Sequence, residues 1–242
     1  MAVERFFTDA GIEIPAITTD QMREVDRIAI EETGPNLFQM MENAGRNLAT
    51  LALRELGEGR SRARVLVMAG TGGNGGGGIC AARHLANHGV EVSVCITQPE
   101  RLGDVPAWQL KVFSGTPGKE VMLDEVRVGE YDLVLDAVIG YSLGGPPRGA
   151  ALDAIELINA LSAPAISLDN PSGLDTTTGE TPGAAVSPEA TMTLALPKTG
   201  LLPGRTGNLY LTDIGIPFEV YRCLGVGFQP PFSEDYIVPL HS

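Results

Sequence analysis

The chain has 242 residues and a formal net charge of −13 at pH 7. That length buries a substantial core and reads most simply as one α/β domain. The acidic balance excludes non-specific nucleic-acid binding, which needs a basic face, but leaves room for a nucleotide held by a few local donors. Cys80, Cys95 and Cys223 are odd in number, far apart and set in apolar surroundings, so no disulfide framework or zinc spacing is visible. The N-terminus lacks a basic stretch followed by an apolar one, and no run approaches 18 apolar residues. A cytoplasmic protein with no membrane partner is expected.

Residues 1–17 read as a loosely held arm. Thr18 and Gln21 then have the spacing of a capping box. Met22, Val25, Ile28 and Ala29 fall on one face of a helix running to about Glu32. After the break at Gly34-Pro35, a second helix from about Asn36 to Leu56 carries Leu37, Met40, Met41, Ala44, Leu48 and Leu51 at spacings of three and four. Its Met-Met-Glu-Asn-Ala-Gly segment reads as helix packing, because Met fills irregular gaps in cores. The two helices also offer a surface for self-association as a homodimer.

Val65 to Gly78 reads V-L-V-M-A-G-T-G-G-N-G-G-G-G. That is the form of a buried parallel strand and a tight turn, with a helix following from Ile79 to His88. Glycine is costly to order, so its use here is to let something approach the backbone; helix N-terminal N–H groups attract anions, so a phosphate-bearing ligand suits them. Val90–Ile96 is a second strand and Gln98–Pro106 a loop. Trp108–Phe113 reads as a short helix and Val121–Leu123 as a short strand. Asp132–Val138 is a buried strand before the loop Gly140–Gly149, and Ala150–Leu161 is a helix. The strand Ala165–Leu168 runs into Asp169-Asn170-Pro171-Ser172-Gly173-Leu174-Asp175. Thr191–Leu196 and Asn208–Thr212 flank Pro197-Lys198-Thr199-Gly200, and 218–242 is a proline-rich tail. The alternation predicts an α/β fold: a doubly wound, mostly parallel Rossmann-like sheet with helices on both faces in three αβα layers. Its site should lie at the carboxyl ends of the strands.

Gly70 to Gly75 satisfies G-x-G-x-x-G, but the second strand ends Cys95-Ile96-Thr97-Gln98 without the acid that a dinucleotide dehydrogenase places there. No Lys-Ser/Thr follows the glycines, so a Walker-type loop fails. Asn170-Pro171-Ser172-Gly173-Leu174 is not a nucleophile elbow. His84 and His88 are spaced as metal ligands on one helix face, but lack a third ligand nearby in sequence and read as ordinary helix residues. What remains is Asn74, Asp136 and the Asp169/Ser172 pair, each just beyond an apolar strand. An oxygen-only set of this kind suits a hard cation.

These segments resemble the NAD(P)H-hydrate epimerases, the YjeF N-terminal domain family. The family's G-P-G-N-N-G-G-D-G stands against Gly70–Gly78, and its D-A-x-x-G-x-G-L against Asp136–Leu143. Its D-x-P-S-G-L/W-D stands against Asp169–Asp175, and a trailing Asp-Ile-Gly-Ile-Pro matches Asp213–Pro217. Gln21-Met22-Arg23…Asp26 and Met41-Glu42-Asn43-Ala44-Gly45 resemble its two leading helices. The resemblance implies interconversion of the R and S forms of NADHX and NADPHX, with a separate NAD(P)H-hydrate dehydratase as pathway partner. It implies one potassium ion per subunit on Asn74, Asp136 and Ser172, and Asp169 as the catalytic acid–base. The diphosphate and sugars would lie against Gly73, Asn74, Gly75, Gly76 and Gly77 and against Gly140, Tyr141, Ser142, Leu143, Gly144, Gly145 and Pro146. Lys198, at the family's Pro-Lys-x-Gly position, would join Asp169 in the catalytic site, tuning it or touching phosphate; a surface lysine is the equal alternative. Gly73 and Gly77 replace the family's Asn and Asp, Tyr141-Ser142 its usual Thr-Gly, and Asn170 an apolar residue. The alternative to an epimerase is a relative that keeps the fold as a nucleotide-binding or protein-interaction module.

Overall fold

A computed structural model describes residues 5–242. An eight-stranded sheet forms its centre. In chain order the elements are β1 (Phe6–Phe7), β2 (Glu13–Ile14), α1 (Thr19–Ile28), α2 (Leu37–Leu56), β3 (Arg64–Ala69), α3 (Gly73–Asn87), β4 (Glu91–Ile96), α4 (Asp104–Phe113), β5 (Lys119–Glu120) and β6 (Leu133–Ala137). They continue with α5 (Ala150–Ala160), β7 (Ala165–Leu168), β8 (Ala190–Leu194), β9 (Asn208–Thr212), α6 (Phe218–Cys223) and β10 (Ile237–Leu240). The sheet order is β10-β9-β8-β7-β6-β3-β4-β5, antiparallel only between β9 and β10. From β3 the chain winds one way to β4 and β5 and the other way to β6, β7 and β8. The β3–β6 boundary is therefore the topological switch point, where ligands of such sheets bind.

The two faces follow from period-two alternation within β3. Val65, Val67 and Ala69 share a core cluster with Leu48, Ile79, Leu85 and Phe113 from α2, α3 and α4. Leu66 and Met68 pack with Ala154, Ile155 and Ile158 of α5 on the other side. Every residue of β6 and β7 is buried, as parallel strands covered on both faces require.

Several boundaries differ from the sequence reading. Residues 1–4 of the expected loose arm lie outside the described residues; the rest of it holds a small hairpin, and its Phe6, Ile14 and Ile17 are each 1% exposed and packed among α1, α6 and β9 residues. The expected tail supplies α6 and the edge strand β10. The predicted helix over 18–32 has its capping box at Thr18 and Gln21, but from Ala29 to Thr33 it widens into a π-helical turn. α4 begins inside the expected loop, with Pro106 in its first turn, where a missing N–H costs nothing. The strand expected at 121–123 pairs instead at Lys119–Glu120, and Leu123–Glu125 forms a single 3₁₀ turn. β8 stops at Leu194 because Ala195 turns to φ +64.

Candidate functional site

The largest departure concerns the glycines, which are mostly helix rather than loop: α3 starts at Gly73, not Ile79. Close packing explains why. A Cβ on Gly75 would lie 1.9 Å from the carbonyl oxygen of Gly70, and one on Gly78 would lie 2.5 Å from the Ala137 Cβ. A Cβ on Gly76 would meet the Met41 sulfur at 2.5 Å. The helix start is thus pressed onto the β3–β6 switch point and onto α2. Gly72 and Gly73, by contrast, face open space. Gly72 offers no side-chain cap, so the first-turn N–H groups of α3 are left for whatever occupies that space.

The open space is a cavity of about 460 Å³ lined by Gly73, Asn74, Gly77, Gly140, Tyr141, Ser142, Asp169 and Lys198, with Met22, Asp26, Met40 and Met41 forming the wall from α1 and α2. Gly75, Gly76 and the stretch Leu143–Pro146 do not line it. The first two are consumed by helix packing, and Pro146 lies against Gly183. The methionines read from sequence as core serve both purposes, being about 95% buried yet bordering the cavity.

Asp169 follows β7 and is 3% exposed, with φ +69. Left-handed backbone outside glycine is tolerated best by Asp and Asn, and it concentrates at functional sites. Here it turns the carboxylate back over the sheet edge. One oxygen, Oδ1, accepts from the Lys198 ammonium and from the Leu194 N–H at 3.3 Å. The other oxygen accepts no hydrogen bond among the described residues, and the residue borders the cavity. Lys198 is no surface lysine: it is fully buried and also donates to the Leu194 carbonyl at 3.0 Å. Its ammonium lies 5.9 Å from the centre of the Tyr141 ring, within cation–π range. Tyr141 lines the cavity rather than plugging it, because its hydroxyl is drawn aside to donate to Asp26 Oδ2 at 2.5 Å. Burial pushes the Asp26 carboxyl above its usual range, opposed by the Tyr141 hydroxyl. Burial and then the Asp26 charge push the Tyr141 phenol up as well.

Asp136 and Ser172 come together behind this wall. The Asp136 carboxylate is completely buried and accepts from the Ser167 hydroxyl at 2.7 Å, the Ser172 N–H at 2.9 Å and the Ser172 hydroxyl at 2.5 Å. Burial raises its pKa against the pull of those donors. The Ser172 oxygen also accepts from the Ile139 N–H at 2.8 Å. Asn74 stands across the thin strip at Gly140, whose Cβ would lie 3.3 Å from that of Asn74. Its amide Nδ2 is buried without a partner among the described residues.

Two features escaped the sequence reading. Asp26 is a member of the cavity wall, and its place in the leading-helix segment was the signal that could have revealed it. His84 has, across α2, the neighbours its sequence lacks: its Nε2 lies 2.9 Å from Glu42, which also accepts from Arg83 and lies 3.4 Å from the Cys80 sulfur. Glu42, Cys80 and His84 have the spacing of a three-ligand metal group. Arg83 already supplies a cation there at 2.5 Å from Glu42 and 3.3 Å from the sulfur, so the Glu42 charge is paired, although the buried Arg83 Nε has no partner among the described residues.

Fold and site together define a doubly wound α/β protein with a buried acid–lysine pair, beyond the ends of β7 and β8, in the cavity that also takes in the start of α3 at its switch point. Residues 37–200 match the family described as YjeF-related protein N-terminus. The chain is 53% identical to an NAD(P)H-hydrate epimerase of Dehalogenimonas lykanthroporepellens, over 98% of this chain and 97% of that one. It is 38% identical to a bifunctional NAD(P)H-hydrate repair enzyme of Hyperthermus butylicus, over 88% of this chain but only 40% of the relative. The crystal structure of the yeast protein ynu0 superposes with a TM-score of 0.82 at 23% identity, covering 93% of this chain and 100% of that one, which shows the shared fold. The chain belongs to the YjeF N-terminal family.

Proposed function

We propose that the chain is an NAD(P)H-hydrate epimerase that interconverts the R and S forms of NADHX and NADPHX. The observation that carries this reading is the buried Asp169–Lys198 pair, which lines a cavity beside the bare start of α3 and has one carboxylate oxygen free of hydrogen bonds among the described residues. The reacting carbon of the substrate bears both the ring nitrogen and a hydroxyl. Asp169 takes the hydroxyl proton, the carbon–oxygen bond becomes a carbonyl, and the carbon–nitrogen bond breaks with its electron pair passing to nitrogen. The Lys198 ammonium supplies the proton that nitrogen then needs. Rotation and closure on the opposite face reverse each transfer and invert the centre. Acid–base assistance of this kind contributes roughly 10²–10⁴-fold.

Gly73, Asn74, Gly77 and Gly140–Ser142 would bind the substrate's nucleotide portion, where the α3 N-terminus meets its diphosphate. Asn74, Asp136 and Ser172 would hold potassium. Their fit rests on a wholly buried carboxylate surrounded only by neutral donors, with the Asn74 amide oxygen as the further ligand. A monovalent cation there would neutralise Asp136 and stiffen the Val138–Gly140 strip. A dehydratase acting on one epimer is the matching partner, and in the bifunctional relative's name both repair steps share one chain. Self-association as a homodimer through the exposed apolar residues Leu37, Phe38 and Trp108 belongs to the same proposal. No helix among the described residues is long and apolar enough to cross a membrane.

The test is epimer exchange followed by NMR or HPLC. The purified protein should speed equilibration of R- and S-NADHX, and Asp169→Ala should abolish the effect. A wild-type protein that leaves the exchange rate at its uncatalysed value would sink the proposal.

A further inference from the structure

The N-terminal segment lies before the residues matched by the family, which begin at 37, yet it is attached to the site at three points. Ile17 forms an isolated bridge with Lys198: its N–H donates to the Pro197 carbonyl at 2.9 Å, and its carbonyl accepts the Thr199 N–H at 3.0 Å. The backbone on both sides of the lysine is therefore held by the residue that leads into α1. At the start of α1, Thr19 is bonded to Thr176 and Thr177, and the Thr176 hydroxyl donates to the carbonyl of Tyr141 at 3.2 Å. Near its end, Asp26 accepts the Tyr141 hydroxyl, and the ring so anchored lies over the Lys198 ammonium. Met22, Val25 and Ile28 bury α1 in the core beside Asp26, so the helix is a rigid mount.

We infer that α1 is a positioning element of the active site, with Asp26 and Tyr141 acting as one latch that holds the Lys198 ammonium against Asp169. The ammonium already donates to the Leu194 carbonyl and the Thr193 hydroxyl, so the direction left open to it without the latch is the cavity. Asp26 is itself suited to the task. It is a mostly buried carboxylate that makes no ion pair among the described residues, and the Lys198 charge attracts it. It therefore draws on the ammonium while fixing the ring in place. Neither the Asp26 carboxylate nor the Tyr141 hydroxyl needs to touch substrate for this. Misplacement of a reacting group by about 1 Å costs on the order of 10²-fold, so a loosened lysine is read directly in turnover.

This inference rests on the epimerase reading, so two readouts separate their failures. In epimer exchange, Asp26→Asn and Tyr141→Phe should each lower kcat about 10-fold with KM little changed, and the double variant should be no slower than either single one, because the two act as a unit. Asp20→Asn, on the exposed face of α1, should match the wild type. The second readout needs no turnover: acylation of Lys198 by a water-soluble amine reagent, mapped by mass spectrometry against the exposed Lys119. Lys198 should be protected in the wild type and labelled about 10-fold faster in Asp26→Asn and in Tyr141→Leu, with Lys119 unchanged. A wild type without epimerase activity would overturn the activity reading and leave the latch to be judged on labelling. Single variants with wild-type kcat, losses that multiply in the double variant, or unchanged Lys198 labelling would overturn the latch.

Discussion

Two ionic clusters differ in every respect that bears on chemistry. Asp169 and Lys198 have side chains 4% and 0% exposed, they border a cavity, and both Asp169 and nearby Ala195 have left-handed backbone. Glu42, Arg83 and His84 are 42%, 15% and 20% exposed and lie on regular helix. Desolvating an ion pair commonly gains nothing over apolar residues of the same size. Left-handed backbone at Ala costs roughly 1–2 kcal/mol more. A fold that carries both burdens in one place gains something there other than stability. The second cluster is only partly desolvated and lies on unstrained helix, a setting that explains its presence without a reaction.

Breaking the first cluster should have the largest effect. Lys198→Met leaves the Asp169 charge buried and unpaired, and should destabilise the fold by about 3–5 kcal/mol, read as a lower urea midpoint. Asn retains the left-handed backbone, so Asp169→Asn combined with Lys198→Met should recover most of that loss while remaining inactive. If Lys198→Met were as mild as Glu42→Gln, the contrast between the clusters would collapse.

A cation sharpens the comparison from the side of Asp136. Burial raises the folded-state pKa of this carboxyl, so its contribution to stability is fully present below the unfolded-state value and is lost as pH rises through the folded one. Potassium beside the ionised carboxylate should offset that loss. Replacing choline chloride with potassium chloride should therefore raise the melting temperature by roughly 2–4 °C at pH 8 and by less at pH 5, for about 1 kcal/mol gained. Asp136→Asn should erase the dependence on cation. An equal shift at both pH values would detach the effect from this carboxylate.

The parallel order of the sheet and the convergence of Asn74, Asp136, Asp169 and Ser172 on one edge were legible because apolar strands ending in polar residues follow a local pattern. The start of α3 was not legible. Glycine has low helix propensity, and only the nearness of Gly70, Ala137 and Met41 makes it obligatory there. Asp26 and the burial of Lys198 were hidden for a related reason. Asp26 is brought to Tyr141 across 115 positions of sequence, and Lys198 follows a strand whose end depends on the turn at Ala195. The anchoring of the N-terminal hairpin likewise depends on partners such as His241, at the far end of the chain.

The smallest expected effect comes from the second cluster. Glu42→Gln removes a half-exposed carboxylate, so stability should change by less than about 1 kcal/mol and epimer exchange should be unaffected. Its local trace should appear at Cys80, whose thiol is pushed up to about 12 by burial first and by the Glu42 charge second, against the pull of Arg83. Removing Glu42 leaves Arg83 as the nearest charge, 3.3 Å from the sulfur, and thiolate formation becomes easier. Cys80 should then react with a maleimide at pH 8 a few-fold faster than in the wild type. It should still lag far behind the exposed Cys223, because burial remains the larger cause. A Cys80 rate that leaps to that of Cys223 would mean that Glu42 holds the two helices together, and the cluster would then be a structural clasp comparable in weight to the buried pair.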